Sequence, residues 1–372
     1  MYIQTNYRPT KAVIDLQAIA SNIRSLRGHL QPDVQIIAVV KANAYGHGDI
    51  EVAKAAIQAG ATMLAVATPD EAVHMRTNFP DIDILILGAT PPNFIPYASK
   101  ENITLTVFSA DWINSAKVYS PLVQSVKVHI KIDSGMGRIG VTTKEELQAL
   151  YEAITATSQF TLDGIFTHFA TADEEDTLYF DNQVYLFKEL LGGLPTKPRL
   201  VHVANTATAL VKDTSLQYDA VRFGISMYGL TPSSYVEEIL PFPIHPAFSL
   251  QTELVHVKKL EAGQSVGYGA LYTADEDVYI GTIPIGYADG MIRKLSGQEV
   301  LVDGERAKII GRICMDQSMI LLSKAYNVGE PVVLIGQQGQ QQITMDDWAN
   351  KLETINYEVP CVITARVPRV YK

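Results

Sequence analysis

The sequence predicts an α/β fold: a (β/α)8 barrel of the TIM type followed by a mostly β C-terminal domain. Three observations carry that expectation. Eight short runs of β-branched and aliphatic residues lie between residues 34 and 230, most are followed by amphipathic stretches, and the texture changes after a proline-rich connection at 240–248. Alternating strand and helix patterns build a parallel sheet covered by helices. Eight such units suit the roughly 250 residues of a closed barrel; an open doubly wound sheet is the alternative that counting alone leaves.

The runs are VQIIAVVK, TMLAVAT, DILILGA, ITLTVF, VKVHIKID, LDGIFTHF, LVHVAN and AVRFGI. DIEVAKAAIQAG, PDEAVHMRTNF, KEELQALYEAIT and DNQVYLFKELLGG read as helices between them. One more helix precedes the first strand, where Leu16, Ile19, Ile23 and Leu26 recur at the spacing of an apolar stripe. LPFPIHPAF holds three prolines and marks the way out of the barrel, so residues 1–246 form the barrel domain and 247–372 the β domain. In the latter, Asp303-Gly304 sits between the alternating runs of EVLVDGERAKII as a two-residue hairpin turn. GEPVVLIG and VPCVITARVPRVYK continue the strand pattern, with a short helix at TMDDWANKL.

With 372 residues, 47% hydrophobic and 19% charged, the chain can bury a large core. Its formal net charge of -10, with no basic cluster interleaved by aromatics, excludes nucleic acid as a partner class. The start, MYIQTNYRPTKAVIDL, lacks a basic stretch followed by an apolar core. No apolar run approaches the ~20 residues of a membrane span. A cytoplasmic protein is expected. Cys314 and Cys361 are far apart and the eight histidines have no metal-ligand spacing, so neither a disulfide framework nor a metal site is expected.

Gly135, Gly137 and Gly140 spell G-x-G-x-x-G between a strand and a helix opened by Thr143 and Glu146, which is the order of a dinucleotide fingerprint. That fingerprint belongs in the first βα turn, with an acidic residue ending the next strand. Here it follows the fifth strand, and Asp163 precedes the sixth strand instead of ending it. The glycines are read instead as a tight turn that lets Arg138 reach back over the barrel.

Barrel enzymes place their chemistry at the carboxyl ends of the strands. Several of these ends are unusually polar: Lys41 after the first strand, Lys131 and Asp133 leading to Arg138 after the fifth, His168 after the sixth, Asn205 and Thr206 after the seventh, and Arg222 in the eighth. The loops after strands seven and eight are where such barrels bind phosphate. There the chain offers the Thr206 hydroxyl and the Gly224 and Ile225 amides. A lysine facing a bound phosphate across the mouth is the arrangement for a Schiff base with pyridoxal phosphate (PLP).

The motif VVKANAYGHG resembles the PLP-attachment segment of alanine racemases, the fold-type III PLP enzymes; DSGMGRIG, VRFGISMYG, VGYGALY, IGYADG, GRICMDQ and INYEVPC resemble further segments of that family in order. The resemblance spans essentially the whole chain. It implies that Lys41 binds the cofactor and acts as one acid/base group, with Tyr268 as the other, and that alanine is interconverted between its L and D forms to supply peptidoglycan precursors. It assigns Tyr45, Thr206, Gly224, Ile225 and Tyr357 to the phosphate, and His168, Asn205 and Arg222 to the cofactor's surroundings. Arg138 and Met315 meet the substrate carboxylate, Tyr287 lines the entryway, and Lys131 matches a lysine that is carbamylated in many members. A plain Lys131–Asp133 pair is the alternative. The resemblance further implies a homodimer in which Tyr268 serves the partner's site. Ser134 and Thr206 stand where threonine and serine are frequent in the family, and both keep the hydroxyl.

Racemisation needs a proton removed on one face of Cα and returned on the other, which two bases of different chemistry serve. A phenol near pKa 10 needs nearby positive charge to act as a base at neutral pH. A chain through His168 to Arg222 would supply it. Arg222 would also donate to the pyridine nitrogen and keep it unprotonated, which weakens the ring as an electron sink and suppresses transamination. Three rival readings are a non-catalytic PLP carrier, an amino-acid decarboxylase of the same architecture, and a racemase of serine or of broader specificity. The second domain speaks against the first and Arg222 against the second. The tyrosines 268, 287 and 357 argue for a small substrate against the third.

Overall fold

In the computed structural model, which describes residues 7–372, all eight predicted runs form parallel strands. The first six residues, with the start of the stretch read for a leader, lie outside the described residues. The strands are β1 (Gln35–Val39), β2 (Met63–Val66), β3 (Asp83–Ile86), β4 (Ile103–Val107), β5 (Val126–Lys131), β6 (Phe160–Phe166), β7 (Leu200–His202) and β8 (Ala220–Phe223). Each pairs in parallel with the next from β1 to β7, and β8 pairs with β1. The ring closes where the Asp219 and Arg222 amides donate to the carbonyls of Val201 (3.0 Å) and Ala204 (2.9 Å). The sheet is therefore a barrel and not an open doubly wound sheet. Strands buried on both faces read as near-continuous apolar runs, as β2 does; β4 is likewise buried along its whole length, with Thr104 and Thr106 among its buried residues.

The helix Leu16–His29 buries Ile19, Ile23 and Leu26 as its spacing predicts. Thr143 caps Lys144–Thr155, its hydroxyl accepting the Glu146 amide. One sequence assignment moves: β6 starts at Phe160, so Asp163 lies inside the strand and not ahead of it.

The second unit comprises residues 246–372, the described residues up to 16, and residues 45–48. Its main sheet runs in the order His256–Leu260, Val278–Ile283, Ser318–Leu322, Glu305–Ile310, Glu299–Val302, Pro331–Gln338, Phe248–Glu253, Lys11–Ile14, Arg369–Tyr371. The expected boundaries, 1–246 and 247–372, thus need correction at the amino end. Lys11–Ile14 pairs with Phe248–Glu253 and with Arg369–Tyr371 in the β unit. Ala12 and Ile14 are fully buried while Lys11 is exposed, the alternation of a strand with one covered face. Asp303 (φ 53°) and Gly304 (φ 75°) make the predicted hairpin turn. The strand reading of VPCVITARVPRVYK holds only for Arg369–Tyr371, because Glu358–Val362 is helical. Pro360 falls in the first turn of that helix, where a missing N–H leaves no intrahelical bond unmade. Among the described residues, no helix is long and apolar enough to cross a membrane.

Candidate active site

β1 ends at Val39, and Lys41 opens a turn of unusual hand. Ala42, Asn43, Ala44 and Tyr45 have φ of 53°, 54°, 51° and 52°, so the turn is left-handed although none of the four is glycine. Each such residue costs about 1–2 kcal/mol. The Ala44 amide donates to the Val40 carbonyl at 2.9 Å. Glu71 clamps the turn from outside: its carboxylate accepts the amides of Ala42 (2.7 Å), Ala67 (2.7 Å) and Thr68 (3.2 Å), tying the end of β1 to the end of β2. Asn43 Oδ1 accepts the Asp49 amide at 3.1 Å. The sequence reading passes over Glu71, although Thr68 and Glu71 form a capping box on the helix Pro69–Asn78, a pattern visible as T-x-x-E.

Lys131 closes β5 and is 2% exposed. Its Nζ donates to the Ile132 carbonyl at 3.1 Å and lies 5.1 Å from the centre of the Phe166 ring. The Asp133 carboxylate turns to the loop, accepting the amides of Gly135 (3.0 Å), Gly137 (3.0 Å) and Arg138 (2.8 Å). The glycine-rich turn is therefore built around an aspartate and not around a pyrophosphate. At Gly140 (φ 140°) a Cβ would stand 2.3 Å from the Asp133 nitrogen, so only glycine closes the loop.

Burial lowers the Lys131 ammonium to about 7, and Arg222 pushes in the same direction while Asp133 opposes. Burial likewise holds His168 well below its usual value, followed by the charges of Arg222, Lys131, Arg138 and Lys41. His168 is accordingly neutral, and four basic side chains predicted from the sequence surround it. Arg138 itself is exposed, with its charge felt by Lys131, His168 and Arg222. Such a mouth attracts anions.

Arg222 is 4% exposed. Nη2 donates to the carbonyls of Thr167 (2.7 Å) and Val203 (3.0 Å) and lies 3.4 Å from His168 Nδ1. Nη1 donates to the His202 carbonyl and lies 3.0 Å from His202 Nδ1. Nε–H has no acceptor among the described residues. Burial, then Arg138, brings the guanidinium down to about 9, which leaves it charged at neutral pH.

Beyond β7, Asn205 caps the helix Thr206–Val211, Oδ1 accepting the Thr208 amide at 3.0 Å while Nδ2 donates to the Phe169 carbonyl at 3.2 Å. Both ends of its amide group help shape that loop. The Thr206 hydroxyl oxygen accepts the Gly224 amide at 3.0 Å. Of the donors predicted here for phosphate, Gly224 is thus already bonded, whereas the Thr206 O–H keeps its own proton to give. The Ile225 amide heads a 3-10 turn, Ile225–Tyr228, where it has no partner within that turn.

In the β unit, the rings of Tyr45 and Tyr357 lie 6.3 Å apart at 48°. Burial, then Cys361, pushes the Tyr45 phenol up. Tyr287 and Met315 are neighbours: the amides of Tyr287 and Ala288 donate to the carbonyls of Cys314 and Met315, both at 3.0 Å. Tyr287 is 42% and Met315 52% exposed, and Tyr268, heading the turn Tyr268–Ala270, is 70% exposed.

Two family models match the chain, the N-terminal domain of alanine racemase over residues 14–232 and its C-terminal domain over 247–371. The fold and its polar mouth are therefore those of an amino-acid racemase, an isomerase. An alanine racemase of Anoxybacillus flavithermus is 52% identical over 367 residues, covering 98% of this chain and 95% of that one. The crystal structure of alanine racemase from Bacillus anthracis with bound L-Ala-P superposes with a TM-score of 0.96 at 43% identity, covering 99% of this chain and 96% of that one. A histidine racemase from Leuconostoc mesenteroides superposes with a TM-score of 0.91 at 34% identity, covering 99% of each chain. The chain belongs to the alanine racemase family.

Proposed function

We propose that this protein interconverts L- and D-alanine with PLP as cofactor, in the cytoplasm, as a homodimer whose partner subunit completes each site, and so supplies D-alanine for peptidoglycan. The observation that carries the reading is the mouth of the barrel, where the charges of Arg222, Arg138 and Lys41 act on one neutral, buried histidine. It suits a cofactor phosphate and a substrate carboxylate together.

The residues present fit PLP. Lys41 offers an amine for its aldehyde. The Thr206 hydroxyl and the Ile225 amide, with Tyr45 and Tyr357, would hold the phosphate, and Gly224 steadies Thr206. The unengaged Nε–H of Arg222 suits an acceptor ring nitrogen. When bound, PLP supplies an electron-accepting ring next to the substrate Cα.

The protein's own groups then divide the remaining work. Arg138 and Met315 orient the substrate carboxylate. Lys41 and Tyr268 hold and move the Cα proton from opposite faces. His168, neutral and 3.4 Å from Arg222, transmits the guanidinium's positive charge toward the Tyr268 phenol and favours its phenolate. Because Arg222 donates without surrendering its proton, charge on the ring stays limited and side reactions are suppressed. Asn205 fixes the loop from which Thr206 acts, and Tyr287 narrows the entryway to small substrates.

The test is α-proton exchange and enantiomer interconversion of L-alanine in D2O by the PLP-loaded protein, with L-serine, L-lysine and L-histidine alongside. D-alanine build-up with little reaction of lysine or histidine is the expected result; a bound cofactor without exchange would overturn the reading. A racemase of broader specificity is the second reading, favoured by the close likeness to a histidine racemase. It predicts comparable turnover of the larger substrates.

We further assign Lys131 as a carbamate. CO2 reacts with the neutral amine, and an ammonium lowered to about 7 is substantially neutral just above that pH. The resulting anion would pair with Arg138. A 13C resonance is expected after incubation with labelled bicarbonate, stronger at pH 8 than at pH 6 and absent in Lys131→Arg. Equal signals from both proteins would refute the assignment.

A further inference from the structure

β6 holds one residue more than β5 can pair. Val128 lies opposite Leu162 and His129 opposite Gly164, so Asp163 is bulged out of register. A bulge of this kind re-aims a side chain. Here an Asp163 carboxylate oxygen lies 3.2 Å from His129 Nε2, His129 Nδ1 lies 2.9 Å from His202 Nε2, and His202 Nδ1 lies 3.0 Å from Arg222 Nη1. Gly164 makes the room, since a Cβ there would stand 2.7 Å from three atoms of the His129 ring. Both imidazoles are 0% exposed, and His202 stacks on Phe166 at 4.7 Å. At the far end Asp163 is gripped by Arg199 through two bonds of 2.7 Å.

The two ends fix the direction of every proton between them. A guanidinium only donates and a carboxylate only accepts. With one proton on each ring, a single arrangement satisfies all three contacts. Arg222 donates to His202 Nδ1, His202 Nε2–H donates to His129 Nδ1, and His129 Nε2–H donates to Asp163. Burial lowers both imidazoles, in His129 against the pull of Asp163 and in His202 together with the charges of His129 and Arg222, so both rings carry one proton at neutral pH.

We propose that His202, His129 and Asp163 are positioning residues: a carboxylate set by a strand bulge locks two buried imidazoles as Nε2–H tautomers, which presents an acceptor to Arg222 and, beside the carbonyls of Thr167, His202 and Val203, holds the orientation of its guanidinium at the barrel mouth. The consequence for the reaction rests on the role assigned above to Arg222. All three residues are buried, and they act through Arg222. Reversing the His202 ring would turn an N–H toward Arg222, and reversing the His129 ring would turn one toward His202 Nε2–H; either leaves two donors face to face in a buried site.

Imidazole 15N NMR of the PLP-loaded protein tests the lock without any substrate. Neutral Nε2–H rings at both positions are expected in the wild type; a protonated ring or an Nδ1–H tautomer at His202 overturns the proposal even if the protein racemises alanine. In Asp163→Asn, which can donate to His129, mixed tautomers at His202, a displaced pH midpoint of the cofactor absorbance, and a kcat about tenfold lower at little-changed KM are expected. Asp163→Glu should restore these in part. An Asp163→Asn protein with wild-type tautomers and absorbance would equally overturn the proposal. Correct tautomers in a protein that racemises nothing would leave the lock standing and remove only the proposed function.

Discussion

Tyr268→Phe is expected to lower racemisation by about 10^2–10^4-fold while leaving α-proton exchange of one alanine enantiomer nearly intact. Residue Tyr268 is 70% exposed at the tip of a turn in the β unit, so removing its oxygen disturbs no packing within its own subunit. Fold and cofactor binding should therefore survive, and the loss isolates the chemistry. If Lys41 and Tyr268 act on opposite faces of Cα, the variant retains one base. The enantiomer whose proton faces Lys41 still exchanges with D2O; its mirror image does not. Separate exchange measurements on L- and D-alanine decide the matter, and equal losses for both would mean that one group serves both faces.

Gly46→Ala is expected to lower stability by about 3–4 kcal/mol, the sum of overpacking and an unfavourable backbone angle. Gly46 has φ 80°, and a Cβ there would stand 2.0 Å from the Pro360 oxygen and 2.6 Å from its carbonyl carbon. The neighbour is backbone and cannot rotate away. The Gly46 carbonyl also accepts Arg369 Nε at 2.8 Å, which pins the peptide from the other side. Gly28→Ala is the control, because nothing lies within 4 Å of its Cβ position and alanine is the better helix former. Thermal melts should place the Gly46 variant well below wild type and the Gly28 variant level with it or slightly above. Coincident melts of all three would contradict the close approach.

The barrel was legible because its strands, covered on both faces, are rich in β-branched and aliphatic residues and recur between helical stretches. Lys11–Ile14 shows the limit of that signal. Four residues can announce a strand, but which sheet they join depends on Phe248–Glu253, far along the chain. The Asp163 bulge was illegible for a related reason: register belongs to two strands at once, and β6 alone carries no trace of a surplus residue. Val359–Val362 misled because β-branched residues around a proline suit an edge strand as well as a first helical turn. The candidate site residues were named from their place at strand ends and from family resemblance. Their supports, Glu71 and the buried histidines, were not, since each acts through a contact that only the folded chain creates. Glu71 alone left a local mark, in its capping box.

The turn that carries Lys41 has a consequence for how the protein matures. Four left-handed residues at about 1–2 kcal/mol each amount to a load comparable with the whole stability of an ordinary domain. A fragment around Lys41 will not hold that shape, since the Glu71 carboxylate and the neighbouring strands must already be in place. A nascent chain therefore carries an unremarkable surface amine, and only a completed barrel poses it for an aldehyde. On the role proposed for Lys41, cofactor capture would come late in folding, in chains whose barrel has closed.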